Sequence, residues 1–248
     1  MASVASQLIL HPVVSRSLKY TSTTVGRDKA YRAVQYFARF FAWYLLNKGH
    51  KLDAARWNAL KSHLGTARKL MRLGKPIEHL QSALRASLTS DPALEQIFAI
   101  ARQLGYFGYL SYDALIWANN VKFVNFDPQF AKKLSKTSSQ LWLAGILFSL
   151  AGGILKTIRL ARESRKLQAG DSYGEKDISA ENQREARLSS VKAAQSKARR
   201  QFITDALDVW LPATGAGLTN INEGTLGIIG LITSLLGAQA QWKAVNGK

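Results

Sequence analysis

Cysteine is absent from the 248 residues, which removes disulfides, iron–sulfur clusters, thiolate metal sites and cysteine nucleophiles together. Histidine is scarce: His11, His50, His63 and His79 are the four present, with no HxxxH or His–carboxylate spacing that would hold a metal. Acid is also short. Sixteen Asp and Glu against 34 Lys and Arg leave a net charge of +18, so an anionic partner is expected, either nucleic acid or acidic lipid headgroups. The sequence has no GxGxxG after a strand, no P-loop, no GxSxG elbow and no HExxH. Its acids are too thinly spread to form a confined carboxylate pair. The expectation is a protein without catalysis, metal or cofactor. The opening MASVASQLILHPVV has no basic residue before its short apolar stretch, and does not read as a cleaved secretory signal.

Charge is missing locally as well, and a bilayer core needs about 20 largely apolar helical residues. Two windows of nineteen residues carry no charge, 137–155 and 224–242. The first centres on LWLAGILFSLAGGIL, and the second ends on Trp242, an aromatic suited to the membrane interface. Both are expected to span. Gly145, Ser149 and Gly153 recur every four residues in the first, as do Gly230, Ser234 and Ala238 in the second. Such small-residue stripes let helix backbones approach closely, so the spans are expected to pack on each other or on another copy. A nucleic-acid binder would leave both windows without a purpose, and nucleic acid is set aside. The organisation that follows is an N-terminal amphipathic region over 1–136, a span over 137–155 and a polar helical connector over 156–208. An apolar region over 209–242, containing the second span, and a tail over 243–248 complete it.

The N-terminal region holds 20 Lys and Arg against 7 Asp and Glu. Val34, Phe37, Phe41 and Leu45 keep a helical seam that Tyr36, Phe40, Trp43 and Tyr44 widen. The next helix starts near Asp53 and runs until Gly74 and Pro76. Trp57, Leu60, Leu64, Ala67 and Met71 advance by three and four residues, so at about 100° per residue they share one narrow sector. Arg56, Lys61, Arg68, Lys69, Arg72 and Lys75 surround them. A cationic face beside a Trp/Leu/Met face describes a helix lying in a membrane interface, the apolar residues inserted and the cations on lipid headgroups. Residues 93–120 read as a half-buried interfacial helix. QAGDSYGEKD at 168–177 reads as a flexible break, and a polar helix follows from Ser179 to about Leu211, where Pro212 ends it. The fold class is all-α: amphipathic N-terminal helices and two transmembrane helices.

Gly26, Arg27, Asp28 and Lys29, heading an aromatic helix that ends in Trp43, Tyr44 and Leu45, resemble the opening motif of the peroxin-11 family. The run from Ala67 to Lys75 is similar to that family's amphipathic-helix signature, and Gly108 to Trp117 to its aromatic segment; the resemblance covers nearly the whole chain. It implies a multi-pass peroxisomal membrane protein with cytosolic termini, which inserts amphipathic helices to curve and elongate the membrane before fission. It also implies self-association, anionic lipids as partners, and recruitment of fission machinery including a dynamin-like GTPase. A pore for small metabolites is the alternative that the resemblance leaves open. For Gly26 to Lys29 the residues suggest that Asp28 stabilises the helix start while Arg27 and Lys29 meet phosphates.

Overall fold

The computed structural model describes residues 4–169 and 178–247, and every regular element among them is a helix. The order is α1 (Val4–Ile9), α2 (Pro12–Ser22), α3 (Thr24–Asn47), α4 (Lys51–Leu70), α5 (Lys75–Ser87), α6 (Ala93–Asn120), α7 (Pro128–Ala169), α8 (Ile178–Asp208), α9 (Trp210–Gly215) and α10 (Glu223–Asn246). Most of the flexible break expected at 168–177 lies outside the described residues.

Local chemistry sets the boundaries. The Thr23 hydroxyl accepts from the Gly26 N–H at 3.0 Å and opens α3, and Asn222 accepts from the Thr225 N–H at 2.8 Å and opens α10, each satisfying a donor that the first turn leaves free. Pro128 begins α7, with the Asp127 carboxylate accepting from the Gln129 N–H at 2.9 Å. Gly49, at φ 84°, turns the chain between α3 and α4, a conformation that costs glycine nothing. Pro212 does not end the helix before it. α8 stops at Asp208, and Pro212 sits in the first turn of the separate α9, where the missing N–H is harmless.

Two sets of helices meet. α3 lies between α4 and α10, while α6 contacts α5 and α7, and α8 lies along α7. α4 touches α6 and joins the sets. Tyr36, Leu211 and Leu226 form a small buried cluster, with Trp142, Ile221 and Leu231 packed against it.

Of the two expected spans, one has the length and hydropathy to cross a membrane. α7 is the only helix among the described residues long and apolar enough to cross a membrane. Its 42 residues extend about 63 Å at 1.5 Å per residue, so the apolar stretch leaves polar helix on either side. Leu147, Ile154 and Ile158 face outward, exposed, as lipid-facing residues would. In α10 Gln239 and Gln241, with Thr233 and Ser234, dilute the apolar stretch, and its glycine-bearing side is turned into the protein.

Candidate functional site

α4 carries the residues that the sequence singles out, and the fold divides them. Trp57 docks edge-on against Phe37 and Phe41 of α3, with ring centroids 5.7 and 5.0 Å apart. Leu60, next along the seam, is left 38% exposed. Leu64, Ala67 and Met71 are half-buried. The start of the seam therefore holds two helices together, and its later residues lie partly open.

The cations divide as well. The Arg56 side chain stands 71% exposed, beside Asp53 at 3.1 Å. Lys75 lies 2.6 Å from Glu78, and Lys61 reaches Glu223 of α10 at 3.3 Å, a carboxylate that also takes two bonds from Arg39 at 2.5 and 2.9 Å. Arg68, Lys69 and Arg72 turn inward. Arg68 donates to Asp28 at 3.0 Å and to Gln35 at 2.7 Å. Lys69 and Arg72 share the buried carboxylate of Asp113 on α6, Arg72 at 2.7 Å, and Arg72 donates to Tyr109 at 3.1 Å. Burial pushes the Lys69 ammonium down from its ordinary value, against the pull of Asp113. These three cations tie α4 to α3 and α6.

The Gly26–Lys29 motif takes part in the same arrangement. A Cβ on Gly26 would collide with the Tyr20 carbonyl and press on the Thr23 hydroxyl, so the tight entry to α3 admits only glycine. Asp28 lies beyond the first turn, which holds no acid, and its carboxylate serves Arg68 of the neighbouring helix rather than its own helix start. Arg27 is exposed, while the stem of half-buried Lys29 lies against Gly237.

The two small-residue stripes meet different helices. Gly145 faces the Arg102 carbonyl and the Tyr106 ring on α6, Ser149 donates to Asp205 of α8 at 2.5 Å, and Gly153 faces Phe202 of α8. Gly230 lies under the Tyr36 ring of α3; Ser234 is fully buried one turn on, and Ala238 half-buried. Gly224 and Gly227 extend that second stripe, under Trp43 and Phe40.

One surface goes beyond what the sequence reading assigned. On α5, Ile77, Leu80, Leu84 and Leu88 advance by three, four and four residues, and all are exposed, Leu88 at 84%. The opposite side holds the helix down: Ala83 is buried, and His79 stacks on Tyr106 at 5.4 Å. The periodicity is present in the sequence after Pro76, in the stretch past the expected helix end. Leu70 and Leu73, on the stretch that leads into α5, are exposed as well, so an open apolar row runs from the end of α4 along α5.

The description peroxisomal biogenesis factor 11 belongs to the family model that matches residues 14–242. The chain is 28% identical over 246 residues to peroxisomal membrane protein PMP27 of Saccharomyces cerevisiae, covering 97% of this chain and 99% of that one. It is 25% identical to peroxisomal membrane protein PMP30B of Candida boidinii, with 98% and 99% covered. Peroxisomal membrane protein 11B of Homo sapiens is 24% identical, with 88% and 93% covered. No solved structure matches. With a single family model running across both helix sets, from α2 to the last turns of α10, the chain belongs to the peroxisomal biogenesis factor 11 family.

Proposed function

We propose that this peroxisomal membrane biogenesis protein curves and elongates the membrane by laying the open apolar surface of α4 and α5 into the cytosolic leaflet, with α7 as the anchor. Its relatives are named as peroxisomal membrane proteins rather than enzymes, and the open work is mechanical. The observation that carries the reading is the exposed row Ile77, Leu80, Leu84 and Leu88 of α5, with Leu60 of α4 also partly exposed. A contiguous apolar row outside the core is stabilised when it leaves water, at roughly 25 cal/mol for each Å² buried. A helix inserted to headgroup depth spreads the headgroups more than the tails. Many copies, held by α7 and by self-association, convert that area mismatch into curvature.

The net charge of +18 draws the surface to an anionic leaflet, each cation near it adding about 1 kcal/mol. Exposed Arg27 and Arg85 are contributors, with Arg56, Lys61 and Lys75 once they leave Asp53, Glu223 and Glu78. Cytosolic termini and delivery of the narrowed membrane to a dynamin-like GTPase complete the reading.

The test is the full chain reconstituted into anionic vesicles and viewed by electron microscopy. Tubules are expected from the wild type; Leu60→Glu and Leu84→Glu should leave vesicles round while the protein stays carbonate-resistant through α7. Tubulation surviving both substitutions would overturn the reading.

A further inference from the structure

α6, α7 and α8 enclose a cleft of about 400 Å³, well inside the roughly 300–1,000 Å³ of small-ligand sites. Three rings line it: Phe98 of α6, Phe148 of α7 and Phe202 of α8. Between them the α7 backbone is bare at Gly152 and Gly153. A Cβ on Gly153 would meet only Phe202, at 3.8 Å, so the missing side chain leaves room.

The polar lining is unbalanced. Its acids, Asp91 and Glu95, are engaged by Arg159, at 3.2 Å to Asp91 and 2.8 Å to each Glu95 oxygen. Its cations, Arg102, Lys156 and Lys197, have no carboxylate at ion-pair distance among the described residues. Nearby Asp205 bonds instead to Ser149 and Gln201, at 2.5 and 2.8 Å. Arg102 lies over the Tyr106 ring at 5.1 Å, and its Nε is buried without an acceptor. A buried donor left unsatisfied is rare in folded proteins, because it has lost water and gained nothing.

The position is informative too. Lys156 ends the uncharged run of α7, the level at which a spanning helix meets headgroups, and Lys197 lines the same cleft from α8. Aromatic walls beside the span and unpaired cations at its end suit a ligand with an acidic head and an apolar chain. A soluble anion would leave the rings unused.

We infer that this cleft holds one anionic phospholipid, its phosphate against Lys156 and Lys197, an ester carbonyl accepting from Arg102, and an acyl chain across Phe98, Phe202 and the Gly153 gap. The site is independent of any bending by α4 and α5.

The full chain in detergent, examined by native mass spectrometry, tests it without a bilayer. Phosphatidylserine should be retained one per chain, about tenfold more tightly than phosphatidylcholine. Lys156→Gln with Lys197→Gln, both at exposed positions, should erase that preference. Gly153→Leu should exclude both lipids while the chain melts no lower than wild type. Equal retention of the two lipids, retention by Gly153→Leu, or equal binding of glycerol phosphate alone would each overturn the assignment.

Discussion

Arg68 of α4 and Asp28 of α3 are joined at 3.0 Å, with their side chains 9% and 14% exposed. Forty residues separate them in sequence, so the bond fixes how the helix with the Trp57–Met71 seam lies on the helix that opens with Gly26–Lys29. Burial works against the Asp28 charge, but Arg68, Arg72 and Lys29 outweigh it and hold the carboxyl below its ordinary value. Removing one side of such a pair leaves the other charge buried without a counter-ion. Arg68→Ala should therefore lower stability by about 3–5 kcal/mol, read as a fall in melting temperature in detergent. Arg68→Gln with Asp28→Asn should lose less than the two single changes summed. Additive losses would mean that the two groups act separately.

The same pair predicts an acid dependence. A carboxyl whose folded pKa is depressed contributes stability that is fully present above its unfolded value, ordinarily 3.8 for Asp28, and lost as pH falls through the folded value. Glu223 is lowered too, by its hydrogen bond from Arg39 against the cost of burial, with Lys61 assisting. The melting temperature should hold steady above about pH 5 and fall progressively below about pH 4. Asp28→Asn should be less stable at neutral pH and show a flatter acid slope, and Glu223→Gln should flatten it further. An unchanged slope in the double variant would place the acid sensitivity elsewhere.

How far the sequence reveals this arrangement differs from element to element. α6 is legible in its bounds, because Pro92 opens it and the chain breaks after Asn120, around an apolar and aromatic run that Arg102 and Asp113 interrupt. The seam from Trp57 to Met71 is legible because it depends on spacing alone. The fate of Arg68, Lys69 and Arg72 is not, since a cation facing lipid and a cation facing Asp28 or Asp113 look alike until the fold brings distant acids beside them. The second stripe shows the same limit: spacing marks Gly230 and Ser234 as a contact, while only the fold names Tyr36 on α3 as what lies over Gly230.

That contact yields a prediction with an internal control. At Gly230 the three atoms nearest to an added Cβ all belong to the Tyr36 ring, whereas at Gly227 it would lie 2.6 Å from the Phe40 backbone nitrogen and 2.8 Å from its Cα. Gly230→Ala and Gly227→Ala should each destabilise by about 1–3 kcal/mol through overpacking. Tyr36→Leu should recover part of the loss at Gly230, because a ring can be trimmed; Phe40→Leu should not recover Gly227, because a backbone cannot. Equal rescue at both positions would mean that the helices simply move apart.

The inward-facing and outward-facing cations should separate on vesicles. Neutralising Arg68, Lys69 and Arg72 removes the counter-ions of Asp28 and Asp113, so the expected result is a lower melting temperature and impaired action on anionic and neutral membranes alike. Neutralising Arg27 and Arg56 leaves the fold intact and should weaken binding to anionic vesicles alone, the difference shrinking in salt as the screening length falls below about 10 Å. Loss confined to anionic vesicles in the triple variant, at unchanged stability, would move those three side chains to the lipid.

Charge placed on α7 and on α10 distinguishes a single anchor from a pair. Leu147 is exposed within the apolar stretch of α7, and Ile232 is exposed on α10 opposite the glycines that meet α3. A lysine at the centre of a spanning helix opposes insertion by about 2.5–3.5 kcal/mol, which is enough to shift a helix of modest hydropathy out of the bilayer. Leu147→Lys should reduce carbonate-resistant protein sharply. Ile232→Lys should not, since α10 is held to α3 by the close approach at Gly224, Gly227 and Gly230 and does not depend on lipid for its place. Equal loss from both substitutions would put α10 in the bilayer beside α7, with the aromatic face of α3 as its protein-side wall.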